Sequence, residues 1–416
     1  MQDERTPKAM RIVLLGGFGR IPFAGMVWEA LYYLEGFRRL GHDIYYVEDN
    51  GEWPYFPDEQ TTPEQACSTT AEYIGRMMEW CGMPGRWAYR TIAQQDRIYG
   101  LSKAQFAELF RTADIVINLA GTTWLREEHM QVPIRVYLQT DPGSGEIQAA
   151  MGDPNTLKML QDHTHHFIFA ENIGAPDCGL PPQPVKYHPT RNPIILEWFT
   201  PLGNNSSDGP GPHKPLRFTT VGNWSQSGWD IEWNGERYAW SKHLEFLKFI
   251  DLPKHIGQPV ELALASITEQ DIAMLRSHGW HVVPACPLTT DIFPYRDYVL
   301  GSDGEFTVAK DQNIRLRTGW FSDRSASYLA AGKPVITQDT AFGNIFPTGE
   351  GLFSFNTMEE IVAAFEAIKG DYNKHSRAAR AIAEEYFRGE TVLTQFLNQL
   401  ETGVENDKIL HRSCAT

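Results

Sequence analysis

The feature that most limits how this chain can fold is a rhythm that runs, breaks and starts again. Residues 11–15 (RIVLL) form a short apolar run, residues 16–19 a Gly-rich turn, and residues 26–40 an amphipathic stretch that Gly41 stops before 43–47 resumes as a strand. Strand, helix, strand in that order is the repeating unit of parallel, doubly wound sheets. The alternation predicts strands at 115–120, 134–139 and 167–170 and helices around 64–80 and 103–111, continuing to about Ile195. Residues 200–216 (TPLGNNSSDGPGPHKPL) then carry Pro, Gly, Asn and Ser without apolar period, the composition of a linker. After it the pattern restarts, with strands at 217–221, 260–265, 280–283 and 334–337. Helices are expected at 241–250, 271–279, 321–331, 358–368 and 376–400. The reading is therefore α/β: a first Rossmann-like domain at 10–198, a linker at 199–216, a second such domain at 217–395, and a helix end and tail at 396–416. Two such units place a cleft between them, where a ligand binds by preference.

Composition narrows the partners. A chain of 416 residues with 42% hydrophobic content can bury a large core, and its net charge of −15 argues against a nucleic-acid surface, which needs a basic face. No stretch approaches the roughly 20 apolar residues of a membrane span. The polar start (MQDERTPKAM) has no apolar core of a secretory signal. The five cysteines, at 67, 81, 178, 286 and 414, lack C-x-x-C spacing. A reducing, cytoplasmic setting is the expectation.

The densest chemistry lies at 315–340 (RLRTGWFSDRSASYLAAGKPVITQDT). A Thr318-Gly319 turn feeds a helix starting near Phe321, with Ser322, Asp323 and Ser325 available as caps. A helix N-terminus presents unpaired N–H groups and a positive dipole end, an anion site that Arg315, Arg317 and Arg324 would reinforce. The helix ends at Ala331-Gly332, and Asp339-Thr340 follows the next strand on the cleft side.

This segment is similar to the donor-binding half of GT-B glycosyltransferases, in which a helix ends Ala-x-Gly-x-Pro-Val before a strand. Residues 330–336 (AAGKPVI) match that ending, and 348–353 (TGEGLF) resemble the short G-x-x-G-L loop. Residues 376–387 (SRAARAIAEEYF) resemble the family's closing helices. The run RTGWFSDRS at 317–325, the Gly222-Asn223-Trp224 turn and the Glu171-Asn172-Ile173-Gly174 stretch resemble a group of bacterial glycosyltransferases related to spore-maturation-type transferases. The resemblance implies a GT-B fold, with two Rossmann-like domains whose parallel sheets face an interdomain cleft. It implies transfer of a sugar from a nucleoside-diphosphate sugar, such as a UDP-sugar, which serves as co-substrate. No cofactor and no metal are expected. The acceptor, the sugar, the stereochemical outcome and the oligomeric state stay open.

On that resemblance the donor site draws on Gly222, Asn223 and Trp224, on Arg317, Thr318, Gly319, Trp320, Phe321, Ser322 and Asp323, and on Asp339 and Thr340. Across the cleft, the turn holding Gly17, Gly19 and Arg20 reaches toward the donor phosphates. Gly17-x-Gly19 also begins a dinucleotide fingerprint, but Pro22 stands at its third glycine position and the signal is weak. Many retaining members carry two glutamates eight residues apart, and here those positions hold Gly319 and Ser327. Ser327 keeps a hydroxyl for the ribose. Lys310 reads equally as a diphosphate partner or a solvated surface lysine. Four tryptophans (224, 229, 233, 240) read as packing under a loop or as a stacking face. Asp141, in Thr140-Asp141-Pro142-Gly143, is the candidate catalytic base or a turn-former, with Glu171 a second cleft carboxylate. His163, His165 and His166 crowd together, but strand alternation turns 165 and 166 to opposite faces, against a shared metal. The alternatives are a sugar-nucleotide epimerase and a non-catalytic nucleotide- or glycan-binding protein.

Overall fold

The computed structural model describes residues 9–55, 60–91, 96–200 and 215–400, so most of the expected linker lies outside the described residues. The first half builds one sheet from β1 (Arg11–Leu15), β2 (Asp43–Glu48), β3 (Trp87–Thr91), β4 (Arg97–Gly100), β5 (Ile115–Leu119), β6 (Ile134–Gln139), β7 (His165–Ile168) and β8 (Tyr187–Pro189). Their order is β4-β3-β2-β1-β5-β6-β7-β8. Neighbours run parallel except β3 and β4. The second half contributes β9 (Phe218–Asn223), a hairpin of β10 (Ile231–Trp233) and β11 (Glu236–Tyr238), then β12 (Val260–Ala265), β13 (His281–Pro284), β14 (Gly304–Thr307), β15 (Val335–Gln338) and β16 (Leu352–Phe355). Its main sheet runs β13-β12-β9-β14-β15-β16, all parallel. Setting aside the edge strands β4 and β8, both sheets have the doubly wound Rossmann order, which reverses at β1/β5 and at β9/β14.

The two halves share a core. Helix Ala24–Arg39 is buried almost all round, from Val27 to Phe37, including Glu29 and Glu35. A helix covered on every side lies between two layers rather than on one. Here Trp28, Trp80 and Trp198 cluster at centroid separations of 5.0–5.7 Å, and Trp80 meets Phe293 of the second half at 5.7 Å. Tyr32 and Ser327, 295 residues apart in sequence, bring their hydroxyls to 2.9 Å.

The expected helix at 376–400 is broken. Helix Tyr372–Tyr386 ends, the Phe387 carbonyl accepts from Ile194 N–H at 2.8 Å, and Gly389 N–H donates to the Ile194 carbonyl at 2.9 Å. A helix at 389–400 follows and seats Phe396 on Phe37 and Phe167 of the first half. The chain therefore crosses between halves a second time. The expected helix at 241–250 is two short helices, His243–Lys248 and Leu252–Ile256, because Pro253 cannot donate inside a helix but suits the start of one. Among the described residues, no helix is long and apolar enough to cross a membrane.

Candidate active site

The C-terminal ends of both sheets' strands face one cleft. At its first-half wall the Gly-rich turn after β1 already holds a carboxyl group of its own. Gly19 N–H donates to the Glu48 carboxylate, Arg20 N–H donates to it at 3.2 Å, and the Tyr46 hydroxyl donates to it at 2.5 Å. Phe18 N–H donates to the Tyr46 oxygen at 3.0 Å. Glu48 is wholly buried, and burial outweighs these donors, pushing its carboxyl up to about 7. The expected reach of Gly19 and Arg20 toward a phosphate is therefore corrected: their N–H groups are occupied, and the Arg20 side chain lies 3.7 Å from Glu52. Gly19 is needed for packing, since a Cβ there would stand 2.7 Å from Ile74. Gly17 borders Thr122 and Asn50.

At the second sheet's switch point, Lys310 follows β14 and is buried. Its ammonium lies 2.8 Å from Asp141 at the end of β6, across the cleft, and 3.2 Å from the centre of the Trp240 ring. The solvated-lysine reading fails, and the two leading candidates prove to be each other's partners. Burial lowers the Lys310 pKa while Asp141 opposes the shift. Lys242, which sequence reasoning missed, stands over the Trp320 ring at 5.5 Å. It is half-buried, and desolvation lowers its pKa to about 7, with the like charges of Arg324 and Lys310 adding. Trp320 is tied across the cleft by its indole N–H, 3.0 Å from the Thr140 carbonyl. Two carboxyls complete the group, Glu29 buried and Asp323 half-buried. Glu29, also missed, is pushed well above the usual carboxylate range by burial and then by the charges of Asp323 and Asp141. Burial likewise raises Asp323, against the pull of Arg324.

Ser322 caps helix Asp323–Ala330, its hydroxyl accepting from Arg324 N–H at 3.2 Å. The Arg324 side chain is spent on structure: it donates to Glu305, to the Val221 carbonyl at 2.7 Å and to the Thr307 hydroxyl at 2.9 Å, stitching this helix to β9 and β14. Its charge still faces Lys242.

Other sequence candidates lie further from this centre. Arg317, in left-handed backbone at φ 47°, reaches Asp177 at 2.9 Å and Asp339 at 3.3 Å. Its carbonyl accepts from Asn172 at 2.9 Å. Gly319 donates to Thr340, and a Cβ on it would stand 2.6 Å from Asn172 N, so glycine lets the two halves touch here. Thr318 is buried and bonds Asn313 at 3.1 Å, while the Thr340 hydroxyl donates to the Trp320 carbonyl at 2.6 Å. Gly222 and Asn223 end β9 at the cleft. Three expectations need correction. Trp224 is buried against Phe246, Phe321 is buried among Phe342, Phe346 and Phe387, and the Ser327 hydroxyl is committed to Tyr32 and the Asp323 carbonyl. Glu171 is taken by Arg191.

His163 uses both ring nitrogens, on Asn118 and the Met159 carbonyl, and His166 places Nε2 on the Leu160 carbonyl. Asp49, Glu128 and His129 do come together, but Arg90 lies between the carboxylates, paired with both.

No protein-family model matches the sequence, and no curated protein matches it either. Solved structures do. Anabaena HepE in complex with UDP and glucose matches with a TM-score of 0.53 at 12% identity, over 94% of this chain and 99% of that one. An alpha-glucosyltransferase in complex with UDP and a 13-mer DNA gives 0.57 at 10% identity, over 94% and 100%. Sucrose-phosphate synthase from Thermosynechococcus elongatus gives 0.55 at 11% identity, over 95% and 99%. The fold is GT-B: two Rossmann-like α/β halves with parallel sheets facing a common cleft.

Proposed function

We propose that this chain transfers a glycosyl group from a nucleoside-diphosphate sugar, with UDP as the nucleotide, to an acceptor held against the first half. The observation that carries the reading is the meeting of Lys242, Lys310 and the charge of Arg324 at the β9/β14 switch point, directly across from Asp141. A departing diphosphate needs fixed positive charge in a water-poor site, and these groups supply it without a bound cation. Metal independence is therefore part of the proposal. Lys310 is held by Asp141. A diphosphate competing for Lys310 releases that carboxylate, which then accepts the acceptor's proton if the reaction inverts, or positions the sugar if it retains. UDP in the HepE and alpha-glucosyltransferase structures supports the choice of base. The relation to spore-maturation-type transferases rests on the 317–325 run, the Gly222-Asn223-Trp224 turn and the 171–174 stretch. A cytoplasmic setting rests on the free thiols of Cys67, Cys81, Cys178 and Cys286.

Calorimetry with UDP tests the donor site. Lys310→Met weakens binding by roughly 1.5–3 kcal/mol, the worth of a charged hydrogen bond. Labelled UDP-glucose with and without acceptor then separates transfer from isomerisation of the donor and from binding alone. Failure of UDP, ADP and GDP alike to bind the folded chain refutes the reading.

A further inference from the structure

Five large aromatic side chains stand exposed among the described residues: Phe23, Trp53, Tyr55, Trp124 and Trp229, at 37–57%. All five sit on loops leaving C-terminal strand ends: Phe23 after β1, Trp53 and Tyr55 after β2, Trp124 after β5, and Trp229 after β9. Exposed rings distributed by chance would fall on both ends of the sheets and on the helices. These collect at the cleft rim, four of them on the first half.

The three first-half loops are knit into one surface. Arg20 lies 3.7 Å from Glu52, Phe23 meets Tyr55 edge-on at 6.1 Å, and Arg126 lies 3.4 Å from Asp49. Gly17 faces Thr122 and Asn50, and a Cβ there would come within 3.6 Å of the first and 4.0 Å of the second. Glycine thus leaves room beside two polar side chains. The Asn50 amide nitrogen and the Thr122 hydroxyl are both shielded from solvent and have no hydrogen-bond partner. Shielded polar atoms are nearly always paired, so such a couple marks a place where a ligand supplies the partners.

We infer that this rim is the acceptor site and that the acceptor is a neutral saccharide. The inference rests on the proposed transfer reaction, which requires an acceptor on this wall. A sugar ring has an apolar C–H face that lies on an aromatic ring and a hydroxyl edge that both gives and takes hydrogen bonds, answering a donor amide and a hydroxyl together. A bilayer answers neither polar atom. The rings are also interrupted by Glu52, Glu127 and Glu128, and the chain carries −15, which repels an anionic lipid surface.

Saturation-transfer NMR on the full chain without donor tests this, using maltotriose, cellotriose, chitotriose and mannotriose. Vesicles of phosphatidylglycerol and phosphatidylethanolamine form a parallel arm and UDP calorimetry a third. At least one trisaccharide binds. Trp124→Ala weakens it fivefold or more, Trp124→Phe keeps most of it, and Asn50→Ala weakens it threefold or more, with UDP affinity and melting temperature unchanged. The inference is overturned if UDP binds and no trisaccharide does, if the Trp124→Ala and Asn50→Ala proteins bind saccharide as tightly as the natural chain, or if vesicles bind through Trp124. Trisaccharide binding with no nucleotide binding keeps the saccharide site and removes the transfer reaction.

Discussion

Lys242 makes nucleotide affinity depend on pH in a direction the structure fixes. Its pKa is lowered to about 7 by desolvation and by the like charges of Arg324 and Lys310. A diphosphate beside it reverses the balance by giving the ammonium a counter-charge, so the bound-state pKa rises toward the ordinary lysine value of about 10.4. Below pH 7 the lysine is charged before UDP arrives and affinity is complete. Above pH 7 each binding event must first protonate it, at about 1.36 kcal/mol per pH unit. The dissociation constant therefore rises by as much as about tenfold per unit, or roughly a hundredfold between pH 7 and 9. Calorimetry of UDP at pH 8 in buffers of different ionisation enthalpy reads the proton directly, with uptake approaching one per UDP. Lys242→Gln lowers affinity at pH 6.5 and flattens the profile. A dissociation constant constant across pH 7–9, or a slope that survives Lys242→Gln, refutes the reasoning.

Tyr32→Phe costs about 1 kcal/mol in urea denaturation, Ser327→Ala costs more because its bond to the Asp323 carbonyl goes too, and the double variant costs little more than Ser327→Ala alone, because the shared bond is lost only once. Additive losses would mean that the two hydroxyls do not pair. Glu48, raised to about 7, favours its protonated form on folding, a contribution complete at acid pH and lost as pH rises through 7. Glu48→Gln therefore gains on the natural chain, on the order of 1–3 kcal/mol, as pH goes from 5 to 8, and a constant difference argues against the shift. Transfer survives EDTA, and loss restored by Mg²⁺ or Mn²⁺ shows that a cation belongs to the site. A 215–400 fragment uncovers Phe293 and the seat of the 389–400 helix, so it binds hydrophobic dye and melts without cooperativity. A cooperative melt with UDP affinity intact contradicts the shared core.

Central strands were legible because a strand buried on both faces is a short, mostly apolar run: 134–139 (IRVYLQ) and 260–265 (VELALA) match the structure residue for residue, with Arg135 and Glu261 near their starts the charged exceptions. The antiparallel pair at one margin of the first sheet was not: β4 (RIYG) at the edge and β3 (WAYRT) beside it mix charges with rings and so carry no clean period. Two signals stood in the sequence unread. Asp153-Pro154 is an N-cap followed by a first-turn proline and opens helix Pro154–Asp162. Asn234-Gly235 is the two-residue turn that closes β10 on β11, with φ of 53° and 78° as that turn demands.

The site was legible at its ends and not at its centre, for a physical reason. Loops after strands can be placed from pattern, so Asp141 and Lys310 were found separately, but their pairing spans 169 residues and only the closed cleft creates it. Glu29 read as one polar position on an amphipathic helix, and its meaning comes from the second layer that covers that position. Residues inside the resembling segment divided by burial: Trp320 turns to the cleft, whereas Phe321 turns to the core. The assembled group has an order that no single residue discloses. Glu29 and Asp323 are shifted toward holding protons and Lys242 toward giving one up, so these groups by themselves move toward neutrality on both sides. Such a site binds an anion by recovering charge on its lysine, and the charge appears where and when the diphosphate does.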